Sequence, residues 1–559
     1  MMASRECPRC EALMKPRVDL SSSELAELER RLRSDFGPSV VNPERAAELG
    51  AILALVDRDI GAHESEMARL QAQVILLQAQ KQRLEQQRTK LRSLLSPMRK
   101  LPTEVLLHIF EYVCENNLFK CYSRTSSVSP TRLISPIIAY PPTMAISSVC
   151  FRWRELALGS PSLWANITVE MHTDPLIQAT RFISAVASYL ERSGNWPLRL
   201  SLDIRGRKLE LPSLALFTRH AHRWRIFKYC GEHSLTDYNA LSHLCFPSLT
   251  EIDIVNDRWI PLTDFNRFEQ APKLRALTSE QVLVDSSLPY RQLDYISFWI
   301  NSSDDLEEVL QKSPFVKSLR LEFGEFGGLE TTYSERPYRW QSVSSLAVGE
   351  WSRESCSELI FSCFNFPSLN ELRVERLGYT NESCIWPGNA FLPFVSRSAC
   401  MVTTFTLRGI SISHSNLITA LHVMPSLLCL DIDDEGNTEG DKEHESPITS
   451  HLISSLAHHQ PNELFPSSIS LVPKLHSLRL FAHSTAFDDH AFVNMVESRW
   501  FKPGSDLAAV MLTIGRASLR SIVLTFKRRE VDAKVYKALK SLDEEGLRIV
   551  VSGTNGVQI

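Results

Sequence analysis

One phrase, repeated with variations, constrains this chain more than any other feature. "FPSLTEIDIVN" (246–256), "SPFVKSLRLEF" (313–323), "FPSLNELRVERL" (366–377), "MPSLLCLDIDD" (424–434), "VPKLHSLRLFA" (472–482) and "ASLRSIVLTF" (517–526) share a Pro-x-Leu-x-x-Leu-x-Leu kernel. Weaker copies stand at "APKLRALTS", "YRQLDYISFW", "VSSLAVGEW" and "MVTTFTLRG". The first apolar position of each kernel falls at 249, 274, 293, 316, 343, 369, 402, 427, 475 and 519, with most steps between 19 and 33 residues. A period of that size predicts repeats that each supply a short strand and a return helix or turn. The kernel's apolar residues then point into a stacked core, and the residues between them alternate outward along parallel strands. "DDLEEVLQKS" and "HAFVNMVESRW", between kernels, have helical spacing and are expected to cover the opposite side. A plain α/β domain of alternating strands and helices is the structural alternative.

Ahead of the repeats, residues 43–95 read as one helix, with Asn42 as N-cap candidate, Pro43 at the first helical position and Pro97 ending the pattern. Leu53, Ile60, Met67, Val74, Lys81, Arg88 and Leu95 form one heptad row; Leu49, Val56, His63, Leu70, Leu77, Leu84 and Leu91 form the other. That is the seam of a coiled coil, and it predicts a homodimer in which Lys81 and Arg88 set register at a cost in stability. The competing reading is a hairpin folded onto the short helix "SSSELAELERRL" or docked on the body.

Between arm and repeats lies "LPTEVLLHIFEYV" (101–113), followed by "AISSVCFRWRELALGSPSLWANITV" (145–169). Leu106, Ile109, Phe110 and Val113 fall at helical spacing, as do Ile146, Val149, Cys150, Trp153 and Leu156. Short helices with this much aliphatic and tryptophan surface bury only part of it among themselves. The segment resembles the F-box family: Leu101-Pro102-Thr103-Glu104, Ile109-Phe110, Val149 to Arg154 and Pro161 to Trp164 stand in the order of that family's signature elements. With a heptad helix before the module and irregular leucine-rich repeats after it, the arrangement is similar to F-box proteins of the fungal type. The resemblance implies that Leu101, Pro102, Glu104, Leu106, Ile109, Phe110, Val149, Cys150 and Trp153 bind a Skp-family adaptor. It also implies that the chain is the substrate-recognition subunit of an SCF-type (cullin-RING) ubiquitin ligase. The segment 117–142 departs from the compact form and is expected to be an inserted surface loop.

The expected organisation is therefore α/β. It comprises a flexible tail with a short helix (1–42), a coiled-coil helix (43–96), an all-α F-box module (97–169) and a leucine-rich-repeat solenoid, or horseshoe (170–559). Outward strand positions Asp253, Arg320, Arg373, Asp431, Arg479 and Val523 are the expected contacts to a protein target.

Composition limits the other readings. The formal net charge of −4 gives no global basic field for nucleic acid or anionic lipid. No apolar run reaches the roughly 18 residues of a membrane span, and "MMASRECPRCEALMKPR" has no secretory core, so a cytoplasmic or nuclear location is expected. Cys150, Cys230, Cys245 and Cys429, inside apolar segments, read as reduced core thiols. "CPRC" (Cys7, Cys10) is half a zinc site without a second half. In "DIDDEGNTEGDKEHE", Asp431, Asp433, Glu435 and Gly436 are spaced as in a calcium loop, but the position of the bidentate glutamate is Lys442. The stretch is expected to be a flexible insertion, and no metal or cofactor is expected. Without a GxSxG elbow, HExxH helix, Walker loop or kinase catalytic loop, no enzyme is expected. The alternative to a ligase subunit is a coiled-coil and leucine-rich-repeat scaffold with no ligase role.

Overall fold

The computed structural model describes residues 17–18, 20–34, 43–121, 141–173, 180–206, 214–231, 233–235, 244–256, 263–280, 285–300, 303–323, 337–351, 355–377, 384–435, 446–458, 471–483, 487–502, 504–513 and 515–557. It divides into two compact units, Met1–Leu106 and Leu107–Ile559. The division falls inside a helix, not at the expected boundary near residue 97.

The N-terminal unit carries α1 (Ser22–Ser34) and α2 (Pro43–Leu94), the latter 52 residues long and hence about 78 Å. The expected cap Asn42 lies outside the described residues. The first part of α2 is half-covered on one stripe, Ile52, Leu55, Val56, Asp59, Ala62, His63 and Glu66, spaced as one helical face. The chain before α1 reaches that stripe, since the Arg17 backbone N–H donates to Asp59 at 2.6 Å. The stripe is offset from the expected seam: Leu49, Leu53 and Ile60 stay exposed, and Ile52 and Leu55 take their place. Beyond Glu66 every side chain through Leu95 is exposed, including Met67, Leu70, Val74, Leu77, Leu84 and Leu91.

The C-terminal unit is mixed α/β around a large, mostly parallel sheet. Its helical start comprises the rest of α3 (Thr103–Val113), α4 (Pro142–Ser147), α5 (Phe151–Leu158) and, after the first two strands, α6 (Thr180–Arg192). Sixteen strands stand side by side in chain order. They are β1 (Asn117–Cys121), β2 (Asn166–Thr173), β3 (Leu198–Gly206), β4 (Trp224–Gly231), β5 (Glu251–Asn256), β6 (Ala276–Ser279), β7 (Tyr295–Ile300), β8 (Ser318–Phe323), β9 (Ser345–Glu350), β10 (Glu371–Arg376), β11 (Thr404–Arg408), β12 (Cys429–Asp433), β13 (Ser477–Ala482), β14 (Ser521–Phe526), β15 (Arg548–Gly553) and β16 (Gly556–Val557). All neighbours are parallel except β15 and β16, which close the edge antiparallel.

Each part of the kernel has a physical role. The proline sits second in a tight turn whose closing bond runs from the kernel leucine: Leu249 N–H to Phe246 O, Leu274 to Ala271, Val316 to Ser313, Leu369 to Phe366, Leu427 to Met424 and Leu475 to Val472. Proline's fixed φ suits that position and its missing N–H costs nothing there. The next two apolar positions enter the sheet and register with their counterparts. Ile167, Leu200, Phe227, Ile252, Leu277, Ile296, Leu319, Leu346, Leu372, Phe405, Leu430, Leu478, Ile522 and Ile549 form one continuous buried row from β2 to β15. Burying one such side chain stabilises by roughly 1.5–3 kcal/mol, and the row does so at every step. Helices Ser303–Lys312, Cys356–Cys363, His414–His422 and Asp489–Arg499 connect successive strands and pack apolar side chains into the core, Cys356–Cys363 on nearly every side.

Arginines lock repeat to repeat, Arg223 and Arg499 from buried positions and Arg397 from an exposed one. Arg223 donates to Ser193 Oγ (2.9 Å), Trp196 O (3.1 Å) and Leu190 O (3.0 Å) at the end of α6. Arg397 donates to Phe361 O at 2.6 Å in the last turn of helix Cys356–Cys363. Arg499 donates to Leu456 O, to Leu471 O at 2.6 Å and to Val472 O at 3.1 Å. Carbonyls at helix ends lack intrahelical donors and carry partial negative charge, so a guanidinium from the following repeat satisfies both needs.

Two expectations change. The segment 117–142 opens with β1, which pairs with β2, so its start is sheet, not loop; residues 122–140 lie outside the described residues. Cys150 and Cys245 are exposed and Cys230 and Cys429 half-buried, whereas the buried thiols are Cys114, Cys356, Cys363 and Cys384. Among the described residues no helix is long and apolar enough to cross a membrane.

Candidate protein-interaction surfaces

The short helices before the sheet enclose a small core and leave apolar surface outside it. Phe110 is buried and meets Trp153 edge-on at 4.8 Å. Together with a 3.4 Å contact from Ser162 Oγ to Glu111, this holds α3 beside α5 and the turn after it. Asn117, fully buried, ties the parts together: its amide donates to Leu163 O and Asn166 O at 3.0 Å, and its Oδ1 accepts from the Thr143 hydroxyl at 2.8 Å. Trp164 is also core, donating to Ala157 O at 2.7 Å with the Arg192 guanidinium over its ring.

The expected adaptor-binding residues separate into two groups. Leu106 and Phe110 are buried and Leu101 and Trp153 half-buried, while Pro102, Glu104, Ile109, Val149 and Cys150 are exposed. Neighbours that the signature does not single out are at least as open: Tyr112 is 83% and Phe151 77% exposed, with Val113 beside them. Ile109, Tyr112 and Val113 share one helical face. Tyr112 was legible as the next position on the stripe, and Phe151 as the residue beside Cys150.

The second surface is the outward face of the sheet. Register places Lys228, Asp253, Thr278, Ser297, Arg320, Ala347, Arg373, Thr406, Asp431, Arg479 and Val523 in one row across β4 to β14. All five charged positions expected to face a target therefore lie on one line. They are not free charges. Asp253 accepts from Lys228 at 2.9 Å, Arg320 pairs with Glu322 and Glu375 at 2.8 Å each, and Asp431 takes Arg408 at 2.7 Å. Arg373 and Arg479 are held more loosely, each 3.9 Å from a carboxylate. Burial opposes the charge of Arg320, but Glu322 and Glu375 outweigh it and raise its pKa. The hydrogen bond to Asp431 likewise raises that of Arg408.

One step along the strands, the row Trp299, Glu322, Gly349, Glu375, Arg408, Asp433 and Phe481 adds aromatic groups. Trp299 and Trp351 both donate to Glu322, at 3.1 and 3.4 Å. Between the two glutamates the chain has glycine for lack of room, because a Cβ on Gly349 would lie 2.1 Å from Leu377 Cδ1 and 2.9 Å from Glu322 Cγ. At the far end of β12, Asp433, Asp434 and His483 bring their ligand atoms within 4.8 Å of one another. Cys7, Cys10, Gly436 and Lys442 lie outside the described residues. A cleft of about 440 Å³ on the helical side is lined by Glu358, Trp386, Asn389 and Asn416. Neither a protein-family model nor a curated protein sequence matches this chain.

Proposed function

We propose that this chain is the substrate-recognition subunit of an SCF-type ubiquitin ligase, with an F-box module that binds a Skp-family adaptor and an irregular leucine-rich-repeat solenoid that binds a protein target. The observation that carries the reading is the division within the module. Phe110 is buried against the half-buried Trp153, yet Ile109, Tyr112, Val113, Val149 and Phe151 remain exposed. Large apolar side chains grouped outside a completed core mark a protein contact. The row of paired charges on the sheet face, with Arg373 and Arg479 least committed, supports a polar protein partner for the repeats.

The mechanism is tethering. One part of the chain holds the ligase assembly and another holds the target, which raises the target's effective concentration at the transfer site without chemistry by this chain. The exposed half of α2, Met67 to Leu95, supports pairing of two receptors through a coiled coil.

Co-purification with a Skp-family adaptor tests the reading, comparing the native chain with I109R/V149R. Both positions are exposed, so the double variant is expected to fold. Stoichiometric adaptor on the native chain and none on the variant is the expected result. A folded native chain that captures no adaptor overturns the ligase reading and leaves the scaffold.

A further inference from the structure

We propose that Asp433, Asp434 and His483 form a binding site for one divalent transition-metal ion, of which Zn²⁺ is the best match. The site clips the ends of two adjacent strands together. Asp433 is the last residue of β12, Asp434 follows it, and His483 follows β13, the next strand in the sheet. One backbone bond and one to a side chain bring them level: Asp434 N–H donates to Phe481 O at 3.2 Å, and the His483 backbone N–H donates to Asp434 Oδ1 at 2.6 Å.

The geometry of the imidazole separates a metal site from an ordinary ion pair. His483 is 8% exposed, and its buried Nε2 pairs with Asp433 without a well-aligned hydrogen bond. That nitrogen nevertheless stands only 3.1 Å from Asp433 Oδ1. It is close to the carboxylate without being aligned on it. Two ligand atoms on one tetrahedral zinc, with bonds of about 2.0–2.1 Å, stand about 3.3 Å apart and point at the metal, not at each other. A donor left unaligned in a buried place is costly for a simple His–Asp pair, and a shared cation removes that cost. Asp434, with no exposed surface, supplies the second carboxylate.

The surroundings suit ligands that need orientation. Ser446 donates its hydroxyl to Asp434, and Glu435 N–H donates to Asp433 Oδ1 at 3.1 Å. Such outer contacts fix a ligating carboxylate in place. Of the nearby cations, Arg408 bonds Asp431 at 2.7 Å while also acting electrostatically on Asp433, and Arg479 stands 3.9 Å from Asp431. One imidazole and two carboxylates fit zinc better than calcium or magnesium, which favour all-oxygen shells. Three protein ligands leave a fourth position for water or a partner's side chain. The calcium-loop pattern beginning at Asp431 misses this site, because its nitrogen ligand comes from the next repeat, 49 residues after Asp434.

The test uses the full chain in a C7S/C10S background, which removes a cysteine pair of ligating spacing elsewhere in the chain. The protein is stripped with EDTA and titrated with ZnCl₂ by calorimetry, and separately with Co²⁺, whose visible absorption reports tetrahedral coordination. One ion per chain is expected, with a rise in Tm on adding zinc. D433N and H483Q are each expected to weaken binding at least tenfold and to abolish the rise. Asp433 is the half-buried last residue of its strand, so D433N decides the matter if H483Q fails to fold. No saturable binding overturns the proposal, as do several weak sites unaffected by either substitution, which is what scattered histidines and thiols would give.

Discussion

Replacing Arg499 by methionine is expected to loosen the chain locally by about 3 kcal/mol. The guanidinium is completely buried and serves three carbonyls, those of Leu456, Leu471 and Val472. Burial, with Arg516 nearby, pushes its pKa down to about 9, so it is still charged at neutral pH. Methionine fills similar space but donates nothing. The carbonyls of Leu456 and Leu471 then lose this donor, at about 2 kcal/mol each. Val472 O keeps the Leu475 N–H of its turn and loses about 1 kcal/mol. Relief of the buried charge returns about 2 kcal/mol. A chain of this length has no single unfolding free energy, so the assay is native-state hydrogen exchange read by mass spectrometry. Amides of helix Ser450–Leu456 and strand Ser477–Ala482 are expected to lose about 100-fold in protection, the ratio equivalent to nearly 3 kcal/mol. R499K, which supplies one donor direction at a time, falls between. Unchanged exchange in R499M would refute the idea that these arginines fasten repeats.

Phe110→Ala is expected to destabilise the helical module by about 3–5 kcal/mol, whereas exposed I109A leaves its exchange unchanged and weakens only adaptor capture. Asn117→Ala orphans several buried groups at once and is expected to free α4, read as faster amide exchange at 142–147. L77D/L84D changes two exposed positions (62% and 64%), so it should convert a dimer to a monomer in sedimentation velocity with the circular dichroism unchanged. Glu350 accepts from Cys356 and Ser357 N–H groups at 2.9 Å each, yet burial raises its pKa. Its folded value therefore lies above the unfolded one, near 4.3, and protonation favours the folded state. Relative to E350Q, the native chain is expected to gain Tm as pH falls from 7 through that raised value, with no further gain below about 4.3.

Where the repeat was spelled with leucine it was legible, and where it was spelled with aromatic residues it was not. All ten expected kernel starts, from Leu249 to Leu519, are buried immediately before strands. The same spacing occurs as Trp224-x-x-Phe227-x-Tyr229 within β4, and as Trp164-x-x-Ile167-x-Val169 before and within β2, each position buried. Counting leucines alone misses both, and so assigns Trp164 to the helical module when it also leads into β2. The heptad row was legible as a pattern but not as a partner: a single stripe cannot say that Ile52 and Leu55 are covered within the unit while Leu77 and Leu84 stay open. The outward row followed directly from the kernel, because strand alternation fixes it. Its pairing did not, since Arg320 meets Glu375 across an intervening strand, a distance visible only in register. His483 beside Asp433 is hidden for the same reason.

The placement of Asn117 bears on how a receptor of the proposed kind would act. It is the first residue of β1 and at the same time a partner of Thr143 in α4 and of Leu163 before β2. The residues from Leu107 onward are accordingly one compact unit, without a linker between helices and sheet. Tethering by a flexible linker dilutes its own advantage as the linker lengthens. In a receptor of the proposed kind, a sheet built directly onto the helices that would bind the adaptor would present a target at a set distance and angle, which is the larger part of what proximity can contribute. Inserting a flexible Gly-Ser segment between Ala165 and Asn166 would break that continuity at β2. If orientation matters, such a chain should still capture adaptor and target but modify the target more slowly. Equal rates would mean that binding alone suffices and that the shared core serves only stability.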